Sequence, residues 1–166
     1  MGKISEYEGY FREIARKFVP IGHTEENPRF WPMSQAAVMA KGRSKMELND
    51  WNMILLQFEP QIRTNNSRRY MFWTIAGFEI IRNVVRDDLS KTQVQDTALD
   101  YCREIVAHMM NEHKDLNFGL GKLEEPSLDF YLIDQEFDSS VGCGVSLQYH
   151  EGFSRTELIN SNNWQL

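Results

Sequence analysis

The chain has 166 residues and a formal net charge of −6, with 18 Lys and Arg set against 24 Asp and Glu. Its length suits one domain, and Leu, Ile, Val and Phe make up about a quarter of it, enough apolar surface to exclude a disordered or collagen-like chain. Two cysteines exclude a disulfide framework, and interleaved acidic and basic residues argue against a globally basic nucleic-acid binder.

Ser5 and Glu8 have capping-box spacing, and Tyr7, Tyr10, Phe11, Ile14, Ala15, Phe18 and Val19 recur at helical steps. An amphipathic helix is expected from Glu6 to Val19, with Pro20 as its stop. Residues 20–34 hold Pro20, Gly22, Pro28 and Pro32, which favour an extended path that Phe30 and Trp31 pin to the core. Ser34 to Ala40 is compatible with a short helix, and Lys41 to Lys45 reads as an exposed loop.

Trp51 to Phe58 and Arg69 to Ile81 are rich in aromatic and β-branched residues and flank the polar stretch Thr64 to Ser67, the pattern of an antiparallel hairpin. Pro60 belongs at a strand end or edge, and Gly77 marks a bulge. A second capping box, Ser90 and Gln93, opens the strongest helical stripe, Val94, Ala98, Tyr101, Cys102, Ile105 and Met109, so a helix is expected from Lys91 to Asn111. Asp115 to Pro126 reads as a loop.

Leu128, Phe130 and Leu132 alternate with more polar neighbours, and Val141, Cys143, Val145, Leu147 and Tyr149 alternate with Gly142, Gly144, Ser146 and Gln148. Two strands joined through Asp138, Ser139 and Ser140 follow, and the small residues of the second leave one face either closely packed or wet. The order implies an α+β fold: a mainly antiparallel sheet of four or more strands with two principal helices on one face. Residues 1–150 form a single domain, and 151–166 a polar tail that is ordered only if it docks.

No catalytic motif stands out, and no cofactor or metal is expected. Glu104, His108 and Glu112 share one helix strip, which is the pattern of a solvated face, and converging ligands from a second direction are missing. His23 lies in a loop with no recognisably spaced nucleophile, so a hydrogen bond to loop backbone is the expected role. Gly119-Leu120-Gly121 follows a helix and precedes a strand, the reverse of a dinucleotide site, and is a turn. Lys41, Arg43 and Lys45 form a basic loop, and Asn65, Asn66, Arg68 and Arg69 a basic hairpin tip; both are candidate contacts for a neighbour.

The run Tyr70, Met71, Phe72, Trp73 places large side chains on both faces of a strand, so one face needs cover from the C-terminal tail or a second subunit. The first residues lack an apolar signal core and apolar runs such as Met53 to Leu56 stop at about four residues, so neither secretion nor membrane spanning is expected.

In element order, with Glu6 to Val19, Trp51 to Ile81, Lys91 to Asn111 and Leu128 to Tyr149 as helix, hairpin, helix and closing strands, the chain resembles small α+β neck and tail proteins of tailed bacteriophages, of the tail terminator or tail completion type. The resemblance implies a non-enzymatic virion protein, made in the host cytoplasm, that forms a homo-oligomeric ring and contacts other neck or tail proteins, with DNA passing transiently through the lumen. The rival readings are a monomeric binding adaptor and a small hydrolase using His23 or His108.

Overall fold

The computed structural model of the chain describes residues 4–32, 49–56, 59–64, 70–84, 90–112, 122–123, 128–136 and 140–152. Helix α1 spans Ile4–Lys17 and buries Tyr7, Phe11, Ile14 and Ala15, the stripe expected from the sequence. Ser5 sits inside its first turn, so it is not the N-cap that its spacing with Glu8 implies. The helix ends two residues early, at Lys17, because the chain folds back through Gly22: the Gly22 N–H donates to Phe18 O (3.0 Å) and the His23 N–H to Ala15 O (3.1 Å). Gly22 has φ +57°, a left-handed conformation that L side chains rarely adopt.

Helix α2 spans Lys91–Glu112 and opens on the expected capping box. The Ser90 N–H donates to Gln93 Oε1 (2.8 Å), and the Gln93 N–H donates back to Ser90 Oγ (3.3 Å).

Seven strands make one sheet among the described residues: β1 (Phe30–Pro32), β2 (Asn52–Leu55), β3 (Glu59–Thr64), β4 (Tyr70–Asn83), β5 (Lys122–Leu123), β6 (Asp129–Glu136) and β7 (Ser140–Gly152). The order is β1-β2-β4-β7-β5, with β3 also paired to β4 and β6 also paired to β7. All pairs are antiparallel except β1 with β2. The expected loop between helix and closing strands contains the two-residue strand β5, and β7 continues past the expected boundary at 150 to Gly152.

The expected hairpin is present with different first-strand bounds. Two short strands, β2 and β3, lie end to end along the same edge of β4, with Leu55 opposite Phe78 and Glu59 opposite Ile75. The facing strand gains one residue over β4 between those pairs, opposite Ala76 and Gly77, so the irregularity is not in β4. Gly77 itself stays in register with Ser146 of β7. A Cβ on Gly77 would stand 2.2 Å from Val145 O, so only glycine lets β4 and β7 approach here. The Tyr7 hydroxyl seals this point, donating to Gly77 O (2.9 Å) and accepting from the Gly77 N–H (3.0 Å), while the Leu56 N–H also reaches Gly77 O (3.0 Å).

The core follows from strand alternation. Ala76, Phe78 and Ile80 of β4 pair with Leu147, Val145 and Cys143 of β7, and all six join Met53, Leu55, Val141 and Tyr149 in one cluster with the apolar residues of both helices. We call this side of the sheet the inner face. On the opposite, outer face, Trp31, Ile54, Glu79, Gly144 and Tyr131 form a single row across β1, β2, β4, β7 and β6. The Tyr131 ring lies across Gly144, where a Cβ would come within 2.2 Å of it, and its hydroxyl donates to Glu79 Oε1 (2.8 Å). The glycines of β7 therefore answer to close packing.

Candidate functional site

The sequence placed its candidate contacts in two basic segments. Lys41, Arg43 and Lys45 lie outside the described residues, as do Asn65, Asn66, Arg68 and Arg69. The short helix expected over Ser34 to Ala40, most of the loop Asp115 to Pro126 and the tail beyond Gly152 also lie outside them.

His23 is buried, and its Nδ1 accepts the Arg29 backbone N–H (3.1 Å). Burial, reinforced by Arg12 and Arg16, lowers its pKa, so the ring is held neutral. It ties its loop to the segment before β1, where Arg29 pairs with Asp50 and Trp31 Nε1 donates to Asn52 Oδ1 (3.0 Å). A ring nitrogen engaged by backbone is a structural anchor, as the sequence implied. His108 and Glu112 pair on the exposed side of α2 (3.2 Å), and His108 with Glu104 helps line a cavity of about 170 Å³ between α1 and α2, shared with Ile14, Lys17, Phe18 and Ile105.

Cys102 and Cys143 are both buried free thiols, as expected, and Cys102 Sγ donates to Cys143 O (3.4 Å). Hydrogen bonding to Cys143, together with burial, pushes the Cys102 thiol up and keeps it protonated.

Exposed large apolar residues among the described residues include Ile62 of β3 and Phe130, Tyr131 and Leu132 of β6, at the two lateral edges of the sheet, besides Ile4, Val19 and Met110 on or beside the helices. Among the described residues nothing pairs with the outer sides of β3 and β6. Register puts Ile62 opposite Phe72, and Phe130 and Leu132 opposite Val145 and Cys143, so all three edge residues belong to the inner face. They are nevertheless exposed: Ile62 by 56%, Phe130 by 39% and Leu132 by 60%. The alternation of Leu128, Phe130 and Leu132 implied burial. In the fold these positions sit at the rim of the cluster, and it is Ile133, on the outer face, that β6 buries.

Side-chain contacts are made at both edges. Gln95 Nε2 of α2 donates to Ile133 O (3.0 Å) and Asp134 Oδ1 (3.2 Å), and Lys91 pairs with Asp134 (2.5 Å). Lys91 first, then Gln95, holds the Asp134 carboxyl below the usual range. On β3, Arg63 donates twice to Gln61 Oε1 (3.0 and 2.7 Å) and stacks over Trp73 at 5.2 Å, while Trp73 lies 5.4 Å from the His150 ring. Pro60 stands on this edge strand, as its missing N–H requires.

No helix among the described residues is long and apolar enough to cross a membrane. No protein-family model matches the chain, and no curated protein shows significant similarity to it.

Proposed function

We propose that this chain is a non-enzymatic structural protein that assembles with copies of itself into a ring, of the kind found at the neck and tail of tailed bacteriophages. The observation that carries the reading is that β3 and β6 each have a single strand neighbour among the described residues and present exposed apolar residues on the same face. Exposed apolar side chains beside an edge strand are a surface that a second copy can cover. The virion setting rests on the order of helix, hairpin, helix and closing strands. In that setting the further partners are other neck or tail proteins, with DNA passing through the lumen.

The reading includes the layer arrangement: α1 and α2 both cover the inner face, because the strand residues that cluster with them share one parity on β2, β4 and β7. This leaves the outer row from Trp31 to Tyr131 facing away from the helices. The cavity between α1 and α2 favours one alternative, a monomeric adaptor that binds a small apolar group beside Lys17, Glu104 and His108. Mass photometry and light scattering over a concentration series separate the two: defined oligomers support assembly, and a strict monomer at high concentration rejects it.

A further inference from the structure

We infer that neighbouring copies join edge to edge, strand β3 of one copy lying antiparallel beside strand β6 of the next, with Ile62 opposite Phe130 of the neighbouring copy. The inference rests on the self-assembly reading and deepens it by naming the interface and its register.

Strand direction comes first. β3 and β7 both run antiparallel to β4, and β6 runs antiparallel to β7, so β3 and β6 point opposite ways. When like-oriented copies stand side by side, the β3 edge of one therefore meets the β6 edge of the next as an antiparallel pair. Side-chain faces agree too. Pro60 and Ile62 of β3 and Phe130 and Leu132 of β6 all lie on the inner face, so a continued sheet brings the exposed apolar groups together.

Register is set by apolar pairing and charge together: setting Ile62 against Leu128 keeps an apolar partner for Ile62 and Pro60 but removes Arg63 from Asp129. Ile62 opposite Phe130 places Pro60 opposite Leu132 and, on the outer face, Arg63 opposite Asp129 and Gln61 opposite Tyr131. Sliding by two residues to set Ile62 against Leu132 puts Pro60 against Asp134 and Arg63 against Tyr131, which loses an apolar pair and an ion pair. A two-fold pairing of β6 with itself fares worse, since the strand carries Asp129, Asp134 and Glu136 and no basic residue. Pro60 removes one donor near the end of the ladder and leaves the positions beyond it intact.

The contact is heterologous, so every copy keeps one edge for the next, and the series forms a ring where the rotation between copies closes. Ile62 is level with Glu151 of its own β7 through Phe72, whereas Phe130 is level with Val145. Successive copies thus step about six residues, roughly 20 Å, along the strand direction, and the strands incline to the ring axis.

The test is a variant carrying Ile62→Cys and Phe130→Cys, oxidised with copper phenanthroline, which takes up the two electrons as two thiols lose their protons and form one S–S bond. Directly opposed strand residues lie within disulfide reach. Expected is a ladder of linked species beyond the dimer on a non-reducing gel, absent from the parent, whose own cysteines are buried. A mixture of the two single variants should give linked dimers only. Leu132→Lys should weaken association at least tenfold without lowering the melting temperature. Linked dimers from Phe130→Cys alone would show two-fold pairing and overturn the proposal. Self-association without any ladder overturns this interface while leaving the assembly reading standing; a parent that stays monomeric at every concentration overturns both.

Discussion

Strands β4 and β7 run side by side along their whole length, yet the two ends of the pair live in different surroundings. At one end, Ala76 to Ile81 against Gly142 to Leu147, almost every side chain is buried on both faces of the sheet. At the other end, Met71, Trp73, Ile75, Gln148 and His150 remain half-exposed on the outer face, and β3 has β4 as its single strand neighbour among the described residues. Alternation is equally regular in both halves. What differs is the third dimension: helical side chains and the Tyr131 bridge close the first half, and stacked Arg63, Trp73 and His150 only partly close the second. One strand pair thus holds the fold at one end and presents surface at the other.

The sharpest way to break this contrast is to cut into the buried end. Phe78 is fully buried against Phe11, with ring centroids 5.5 Å apart, and Phe78→Ala should cost about 3–5 kcal/mol through lost transfer energy and the cavity left behind. Ile105→Ala, on the helix above, should cost about 2–5 kcal/mol. Chemical denaturation measures both, and a loss under about 0.5 kcal/mol for either would mean that this end is not the core.

A smaller effect is expected where α1 locks onto Gly77. Tyr7→Phe keeps the ring and removes the hydroxyl that both donates to and accepts from Gly77, leaving buried backbone groups with fewer partners. The expected cost is about 1–3 kcal/mol. Slower amide exchange at Gly77 in this variant than in the parent would contradict the assignment.

Acid should act on the loop that precedes β1. The folded state lowers the His23 pKa through burial and the nearby arginines, so below about 6.5 the unfolded chain binds the extra proton more readily. Stability is therefore full above that pH and declines as pH falls through and below it. Melting temperatures between pH 7 and pH 5 should show the decline, and His23→Asn, whose side-chain oxygen can still accept the Arg29 N–H, should flatten it. An unchanged slope would remove His23 as the source.

At the open end the expected effect is smallest. Arg63 is exposed, and Arg63→Ala should change stability by no more than about 0.5 kcal/mol. Arg68 and Arg69 lie outside the described residues; on the proposed assembly reading, replacing both by alanine should leave the melting temperature almost unchanged while weakening association and reducing its salt sensitivity. Substantial unfolding by any of these would erase the distinction between the two ends.

Much of the fold could be read directly from local chemistry. The Ser90–Gln93 capping box is formed as its spacing implies, because both partners lie within one turn of backbone. The stripe from Val94 to Met109 and the alternation from Val141 to Tyr149 likewise point at the core, since each element needs only its own periodicity to sort its faces. Ser5 and Glu8 had the same local pattern without the same result, because the helix starts at Ile4 and leaves Ser5 inside it. The parallel strand β1 was legible only as an extended segment; its partner lies on β2, across a separation that propensity does not register.

The candidate site was less legible. The basic segments that the sequence singles out lie outside the described residues, and the exposed apolar residues of the edges, Ile62, Phe130 and Leu132, stand in ordinary alternation. Their periodicity matches that of Val145 and Cys143 beside them, and nothing local separates a strand with neighbours on both sides from one with a single neighbour.

The amino-acid order by itself determined both helices, the long strands β4 and β7 and the side each presents, because capping, proline and glycine chemistry and side-chain periodicity act within a few residues. Tertiary structure alone decided that β2 and β3 share one edge of β4, that Tyr131 spans Gly144 to reach Glu79, and that β3 and β6 each have one strand neighbour among the described residues. Those outcomes depend on which distant backbones exchange hydrogen bonds and on how far the helical side chains extend over the sheet, and both are properties of packing between segments remote in sequence.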